Sequence, residues 1–179
     1  MEHKTERLIL RAYTKNDREN IYKLFTEKFV KTYEMHLQMK SISAVDNYLE
    51  WHIKNEASPN RTHYFYVIEL QETREFLGIV GYSFVEKAVM ELEYYLLEEH
   101  WGKGYMTEAL RKAIAVAFEN RHAVKLFAQC HVDNPNSENV MKKCGMVKAA
   151  IQPKPKSYFG IVKENVRYEI TVDTYMLEM

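Results

Sequence analysis

Two glycines one residue apart, Gly102 and Gly104, precede a segment whose apolar residues recur with helical spacing. The chain has only six glycines, so a pair at this position needs a physical reason. If a strand ends near Leu97 and a helix begins near Tyr105, the first-turn N–H groups lack intrahelical acceptors and the helix dipole adds positive charge. Glycines admit positive φ angles and let a phosphate approach the main chain. We therefore predict an anion site at this turn.

The residues around this turn exclude the two commonest nucleotide motifs. They do not read GxxxxGK[ST], as a P-loop would, and they lack GxGxxG inside an early strand-helix-strand unit. The predicted anion therefore belongs to a different carrier of a pyrophosphate group.

Two carboxylates, Glu91 and Glu93, lie two residues apart in the apolar run MELEYYL. On a strand this spacing places both side chains on one face. We expect burial and mutual repulsion to raise the pKa of at least one of them, which suits a general base. The alternative is that one or both pair with an arginine or lysine of a neighbouring strand.

Aromatic residues on the predicted strands and on the second predicted helix offer a further surface. They either line an acceptor groove or belong to the core: Tyr64, Tyr66, Tyr82, Tyr94, Tyr95 and Trp51.

The elements that position these residues alternate between strand and helix periods. TERLILRAY predicts a first strand with one buried face, and two helices follow, the second capped by Ser43 and ended by Ser58-Pro59. HYFYVIEL, EFLGIVGYSF and AVMELEYYLL predict three strands of an antiparallel meander. A long helix then begins near Tyr105, and AVKLFAQCHV predicts a strand parallel to the one before that helix.

The remainder predicts a short helix from about Ser137 to Cys144, with Gly145 at its end, and two last strands. The fold class is therefore α+β, with a mixed, mostly antiparallel sheet of about seven strands flanked by about four helices and one parallel crossover. We expect residues 1–179 to form a single domain.

Composition excludes several classes of protein. Lysine plus arginine equals aspartate plus glutamate at 25 each, which disfavours a nucleic-acid binder. The sequence has neither a signal peptide pattern nor a long apolar run, so we expect a cytoplasmic protein without a membrane partner. The seven histidines lack metal-ligand spacing, so we expect no metal.

Three motifs in order carry a family resemblance: MELEYYL, HWGKGYMTEAL and DNPNSENVMKKCGM. They resemble the GNAT superfamily of N-acetyltransferases, and TERLILRAYTKND is similar to the first strand of its ribosomal-protein alanine acetyltransferase branch. The resemblance implies a GNAT-like fold and direct transfer of acetyl from acetyl-CoA to a primary amine in a ternary complex. The acceptor would be a protein N-terminal α-amine or a small amine, and the protein a monomer or homodimer.

The resemblance also implies a set of coenzyme A contacts. Amides from Trp101 to Thr107 would hold the pyrophosphate, main chain near Leu96 and Leu97 the pantetheine arm, Asn134 the same arm, and Lys143 the distal phosphate end. The implied set is Leu96, Leu97, Trp101, Gly102, Lys103, Gly104, Tyr105, Met106, Thr107, Asn134 and Lys143. Met106 stands where glycine or alanine is usual, and Trp101 where glutamine or arginine is.

For catalysis, Glu91 matches the family's strand carboxylate, which acts through a water, and Glu93 stands where the branch often has glycine. Many members carry a tyrosine that protonates the leaving thiolate, but none occurs between Asn134 and Met146. Ser137 matches the serine of the branch there. A bulged N–H on the strand of Glu91 would bind the oxyanion. The missing tyrosine leaves an alternative open, a non-catalytic acyl-CoA-binding or regulatory domain.

Overall fold

A computed structural model describes residues 2–34, 37–153, 156–158 and 161–177. Its strands are β1 (Glu2–Lys4), β2 (Leu8–Arg11), β3 (His63–Leu70), β4 (Phe76–Glu86), β5 (Val89–Leu96), β6 (Lys125–His131), β7 (Val147–Lys148), β8 (Lys156–Tyr158), β9 (Ile161–Lys163) and β10 (Asn165–Thr171). Its α-helices are α1 (Arg18–Thr26), α2 (Lys28–Tyr33), α3 (Ile42–Glu56), α4 (Tyr105–Arg121), α5 (Pro135–Lys143) and α6 (Val172–Leu177). In the described residues no helix is both long and apolar enough to span a membrane.

One eight-stranded sheet has the order β1-β2-β3-β4-β5-β6-β10-β7, and β8 pairs with β9 separately. Only β5 and β6 pair in parallel; the other described pairs are antiparallel. Helix α4 connects β5 to β6 as the crossover. The predicted mixed α+β fold is thus confirmed, and the sheet has one strand more than the approximate expectation.

Helices cover both faces of the sheet. One core packs α4 and α5 against it, with Leu110 and Ala113 fully buried, and the other packs α1 and α3, with Leu24 and Val45 fully buried. The prediction of one buried face for the strand around Ile9 is wrong, because this side chain is buried as well. A strand between two helical layers needs apolar residues on both sides.

Three local predictions differ from the structure. Ser41 rather than Ser43 caps α3, because the Ser41 hydroxyl accepts the Ala44 N–H at 3.3 Å. The first predicted helix divides into α1 and α2 at Glu27, whose ψ of 156° is not helical. The tail contains β9 and β10 as predicted, but α6 follows them, and the Thr171 hydroxyl accepts the N–H of Thr174 at its start.

A buried ion-pair network joins the first strand to the helices. Arg11 on β2 donates to Asp17 at 2.6 Å and to Glu69 on β3 at 2.7 Å, and both carboxylates are nearly fully buried. Asp17 precedes α1, so the network fixes where the helical layer leaves the sheet. Asp17 pairs with Arg11, whereas Glu69 pairs with Arg74 as well, at 3.0 Å. Buried Asp17 therefore depends on the Arg11 guanidinium for compensation.

We expect Arg11→Ala to lower the free energy of unfolding by about 3–5 kcal/mol, because it leaves the buried carboxylate of Asp17 without its cation. Urea denaturation at neutral pH measures this loss. Arg18→Ala is the matched control: Arg18 pairs with exposed Asp46 at 2.6 Å, so its removal should change stability far less. Equal stability of the two variants would contradict the assignment.

Candidate active site

The parallel strands β5 and β6 pair over three residues, ending at Glu91 and Phe127. Beyond that point β5 continues along β4 to Leu96, while β6 continues along β10 to His131. The two strands therefore diverge, and a cavity of about 470 Å³ opens between them. Most of the predicted site residues meet around this cleft.

Helix α2 crosses the cleft. Phe29 lies 6.5 Å from Tyr95 and 5.7 Å from Trp101, measured between ring centres, on the β5 side. Tyr33 lies 5.8 Å from the ring of His131 at the end of β6. The helix thus contacts the ends of both diverging strands.

The turn before α4 has the conformation that its glycines permit. Gly102 has φ of 76° and Gly104 has φ of 81°, and Gly104 is the N-cap of the helix that begins at Tyr105. A Cβ on Gly102 would meet nothing within 4 Å, and one on Gly104 would meet only Arg7 at 3.5 Å. Positive φ, rather than lack of space within the protein, is therefore what requires glycine here.

Most of the predicted coenzyme A residues line the cleft: Leu96, Trp101, Gly102, Gly104, Tyr105, Met106, Thr107, Asn134 and Lys143. Leu97 and Lys103 do not. Leu97 is buried in the core beneath α1 and α3, and the Lys103 carbonyl accepts a hydrogen bond from Arg7 at 3.1 Å. The side chain of Met106 is nearly fully buried, so it packs into the core.

The main chain at the end of β5 is partly occupied. The Leu96 carbonyl accepts the indole N–H of Trp101 at 2.9 Å, and the Leu97 N–H donates to the Leu77 carbonyl at 2.9 Å. These two groups are engaged within the protein, in contrast to the expectation that they pair with the pantetheine arm. From Leu92 onward no described strand pairs with the β6-facing edge of β5.

A hydroxyl pair stands where β5 faces α5. Asn134 is the N-cap of α5, and its Oδ1 accepts the N–H of Ser137 at 3.2 Å. The Tyr94 hydroxyl lies 2.8 Å from the Ser137 hydroxyl and donates to the Ser137 carbonyl at 3.1 Å. The sequence analysis did not connect these residues. Side chains alternate between the two faces of a strand, so Tyr94 lies on the face opposite to Glu91 and Glu93. This alternation is the one sequence signal that could have placed Tyr94 on the face covered by α5.

The two strand carboxylates differ in their surroundings. Glu91 accepts the side-chain N–H of Gln129 at 2.9 Å, and Glu93 accepts the hydroxyl of Tyr95 at 3.5 Å. Burial, together with the nearby charge of Glu91, raises the pKa of Glu93 to about 7. Their contacts among the described residues come from these neutral groups, in contrast to the alternative of arginine or lysine partners.

The expected bulge is absent from this part of β5. The register between β4 and β5 runs without interruption from Gly78 opposite Leu96 to Phe84 opposite Met90. The irregularity lies at Phe84–Glu86, on β4 and at the far end of the pair. A continuous antiparallel partner holds β5 flat beside the cleft, so its free edge arises from divergence rather than from a bulge.

Charge is distributed unevenly along the cleft. Glu34 at the end of α2 lines it together with Glu91 and Glu93. Among the described lining residues Lys143 is the only lysine or arginine, and its carbonyl accepts from Arg111 on α4 at 2.5 Å. The cation therefore stands beside the helix that carries the glycine turn, and carboxylates stand elsewhere in the cleft.

Comparisons with known proteins agree with this geometry. The family model described as an Acetyltransferase (GNAT) domain matches residues 7–147. A relative from Bacillus subtilis (strain 168), the uncharacterized protein YkkB, is 31% identical over 146 residues, which covers 79% of this chain and 83% of its own.

Two solved structures share the fold. The spermidine N-acetyltransferase of Vibrio cholerae, in complex with CoA and spermine, has a TM-score of 0.81 at 20% identity and covers 96% of this chain and 99% of its own. RimL, a ribosomal L7/L12 alpha-N-protein acetyltransferase in complex with coenzyme A, has a TM-score of 0.83 at 17% identity and covers 95% and 97%.

The family match confirms the resemblance and decides between an enzyme and a non-catalytic binding domain in favour of the enzyme. The glycine turn, the free helix N-terminus and the unpaired strand edge fit acetyl-CoA as the co-substrate. The chain belongs to the GNAT acetyltransferase family, and it is an acetyl-CoA-dependent N-acetyltransferase that acts on amines.

Proposed function

We propose that this enzyme acetylates small primary amines that carry a second positive charge, as polyamines do, by direct transfer in a ternary complex. The observation that supports it best is the charge of the cleft, which is lined by Glu34, Glu91 and Glu93 and, among the described residues, by one lysine, Lys143, and no arginine. Alkyl amines have a pKa near 10.4, so they arrive as ammonium ions and are attracted to such a surface.

Aromatic rings reinforce this preference. Phe29, Tyr33 and Tyr95 line the same cleft, and ring faces attract ammonium groups where water is excluded. Burial, together with the nearby charges of Glu34 and Glu93, raises the pKa of the Tyr95 hydroxyl well above its usual value. This hydroxyl therefore stays protonated and serves as a hydrogen-bond donor.

The relatives are compatible with this class of acceptor. A spermidine acetyltransferase that was solved with CoA and spermine shares the fold. RimL shares it as well, so a peptide α-amine is the acceptor against which the proposal must be tested.

We assign the first proton transfer to Glu93. Its pKa of about 7 lets it be ionised at neutral pH while remaining basic enough to take a proton from the bound ammonium, directly or through a water. Glu91 supplies the neighbouring charge that contributes to this pKa, and Gln129 holds Glu91 in place. The two strand carboxylates thus act as a pair.

We assign the last proton transfer to Ser137, positioned by Tyr94. When the phenol donates its proton to the Ser137 hydroxyl, 2.8 Å away, the serine O–H is available for the departing sulfur. Acetyl-CoA supplies the acetyl group as an activated thioester. In the overall step the ammonium ion loses two protons, an N–C bond forms and the C–S bond breaks. The departing thiolate takes up one proton, and the other passes from Glu93 to solvent.

Glu93→Gln should lower kcat by about 10²–10⁴, because the amide cannot accept the proton, while the Kd for acetyl-CoA stays unchanged. In the wild type, kcat/KM should rise with pH around 7, since the protonated carboxyl at lower pH is inactive and the ionised one is active. The variant should lose this inflection. Steady-state thiol-release assays from pH 5.5 to 9 measure both effects.

The matched control is Glu86→Gln, which changes an exposed carboxylate on β4 outside the cleft and should leave rate and pH profile unaltered. A Glu93→Gln enzyme that retained the inflection near pH 7 would show that another group accepts the proton.

Ser137→Ala should lower kcat by about 10², because the thiolate then leaves without its acid, and Tyr94→Phe should cause a smaller loss. Single-turnover measurements with saturating acetyl-CoA isolate this step. Tyr175→Phe, which removes a hydroxyl bonded to Glu119 instead, is the control. Full activity of Ser137→Ala would assign the acid to another group.

For the acceptor, kcat/KM should be higher for spermidine than for butylamine or an N-terminal peptide, and added salt should reduce the spermidine value most. Glu34→Gln should lower the spermidine value by about fivefold and leave butylamine unchanged, because one charge contact is lost. A peptide preferred over spermidine, with no effect of Glu34→Gln, would identify the peptide α-amine as the acceptor.

A further inference from the structure

We propose that Arg7 is a positioning residue for coenzyme A: it orients the Gly102–Gly104 turn and neutralises Glu108, so that the amides of the turn can accept the pyrophosphate. Arg7 precedes β2 and lies outside the set that lines the cleft. Its effect on the coenzyme is therefore exerted through the turn rather than by contact.

The Arg7 guanidinium bonds both to Glu108 and to the glycine turn. Its Nε donates to Glu108 at 2.7 Å, its Nη2 lies 2.7 Å from the same carboxylate, and its Nη1 donates to the Lys103 carbonyl at 3.1 Å. The guanidinium carbon lies 4.6 Å from the centre of the Tyr105 ring. One side chain thus contacts the residues on both sides of Gly104.

The bond to Lys103 sets the direction of the next amide. The Lys103 C=O and the Gly104 N–H belong to one trans peptide, in which these two groups point in opposite directions. Because Arg7 holds the oxygen, the N–H of Gly104 is directed away from Arg7. Gly104 itself lines the cleft, so this direction suits an anion bound there.

The bonds to Glu108 remove an unfavourable charge. Glu108 lies in the first turn of α4, where a carboxylate competes with a bound phosphate for the helix N-terminus. Its Oε1 accepts the Thr5 hydroxyl at 2.6 Å and the Arg7 main-chain N–H at 2.9 Å, in addition to the guanidinium. Although burial raises the pKa of Glu108, these hydrogen bonds outweigh burial and keep the pKa below its usual range. The carboxylate is thus ionised at neutral pH and needs its cation.

The test is the Kd of acetyl-CoA by calorimetry, which requires no knowledge of the acceptor. Arg7→Gln should raise this Kd by about tenfold, as expected for lost charge-assisted hydrogen bonds. The KM for acetyl-CoA should rise in parallel, while kcat at saturation stays within about twofold, because the catalytic groups are untouched. Arg7→Lys should recover part of the affinity, since one ammonium can bind Glu108 or Lys103 but not both in the same geometry.

Two further variants separate the parts of the argument. The double variant Arg7→Gln, Glu108→Gln should bind acetyl-CoA more tightly than Arg7→Gln, because it lacks the uncompensated carboxylate. The loss of affinity that remains relative to the wild type measures the effect of the orientation of the Lys103 peptide. Arg18→Gln is the control, because Arg18 has similar exposure and also joins two elements by a salt bridge, through Asp46. Its Kd for acetyl-CoA should equal that of the wild type.

An unchanged Kd for acetyl-CoA in Arg7→Gln would overturn the proposal. A second result would also overturn it: kcat falls in proportion to the loss of folded protein, while the Kd for acetyl-CoA does not change. Arg7 would then have a structural role only. Where Arg7→Gln folds poorly, the Kd of Arg7→Lys decides in the same way.

Discussion

The parallel pairing of β5 with β6 ends after three residue pairs, and the position of the active site depends on this end. Each strand keeps an antiparallel partner on its other side, β4 for β5 and β10 for β6. The two strands can therefore separate while each stays hydrogen-bonded to its antiparallel partner. The separation leaves the edge of β5 unpaired, and unpaired main-chain groups bind an extended ligand readily.

The turn after β5 places a helix N-terminus beside this edge, and we propose that an anionic ligand binds there. Two positive φ angles, at Gly102 and Gly104, bring the chain from the strand into α4 with the helix N-terminus at the cleft. Partial positive charge and free amides coincide there. Lys143, on the neighbouring α5, adds a full positive charge at the same cleft.

Negative charge enters the cleft from the end of α2 and from β5, because Glu34, Glu91 and Glu93 line it. Burial, together with the nearby charge of Glu91, raises the pKa of Glu93 to about 7. A group with a pKa near neutrality exchanges protons readily, which amine acetylation requires. The same cleft thus has a helix N-terminus and Lys143 as well as three carboxylates, an arrangement that fits the transfer to a cationic acceptor that we propose.

Local patterns along the chain predicted much of this. The β-branched and aromatic content of HYFYVIEL predicted β3 with its observed bounds, and the apolar spacing after Gly104 placed the start of α4 at Tyr105. These features depend on residues close together in sequence. The helix α6 was missed because it depends on a single capping threonine and on packing of Tyr175 against Phe118, whose rings lie 5.0 Å apart.

The sequence alone therefore determined most of the secondary structure, the family and the glycine turn, since each depends on short-range pattern or on motif order. Only the tertiary structure decided the contacts between distant segments: Tyr94 with Ser137, Glu91 with Gln129, and Arg7 with Lys103 and Glu108. Strand periodicity predicts on which face of the sheet a side chain lies, but it does not predict which residues of other segments contact that side chain. That depends on sheet order and on how the layers pack, so the charge state of Glu93 and the direction of the Gly104 amide emerge only once the chain is folded.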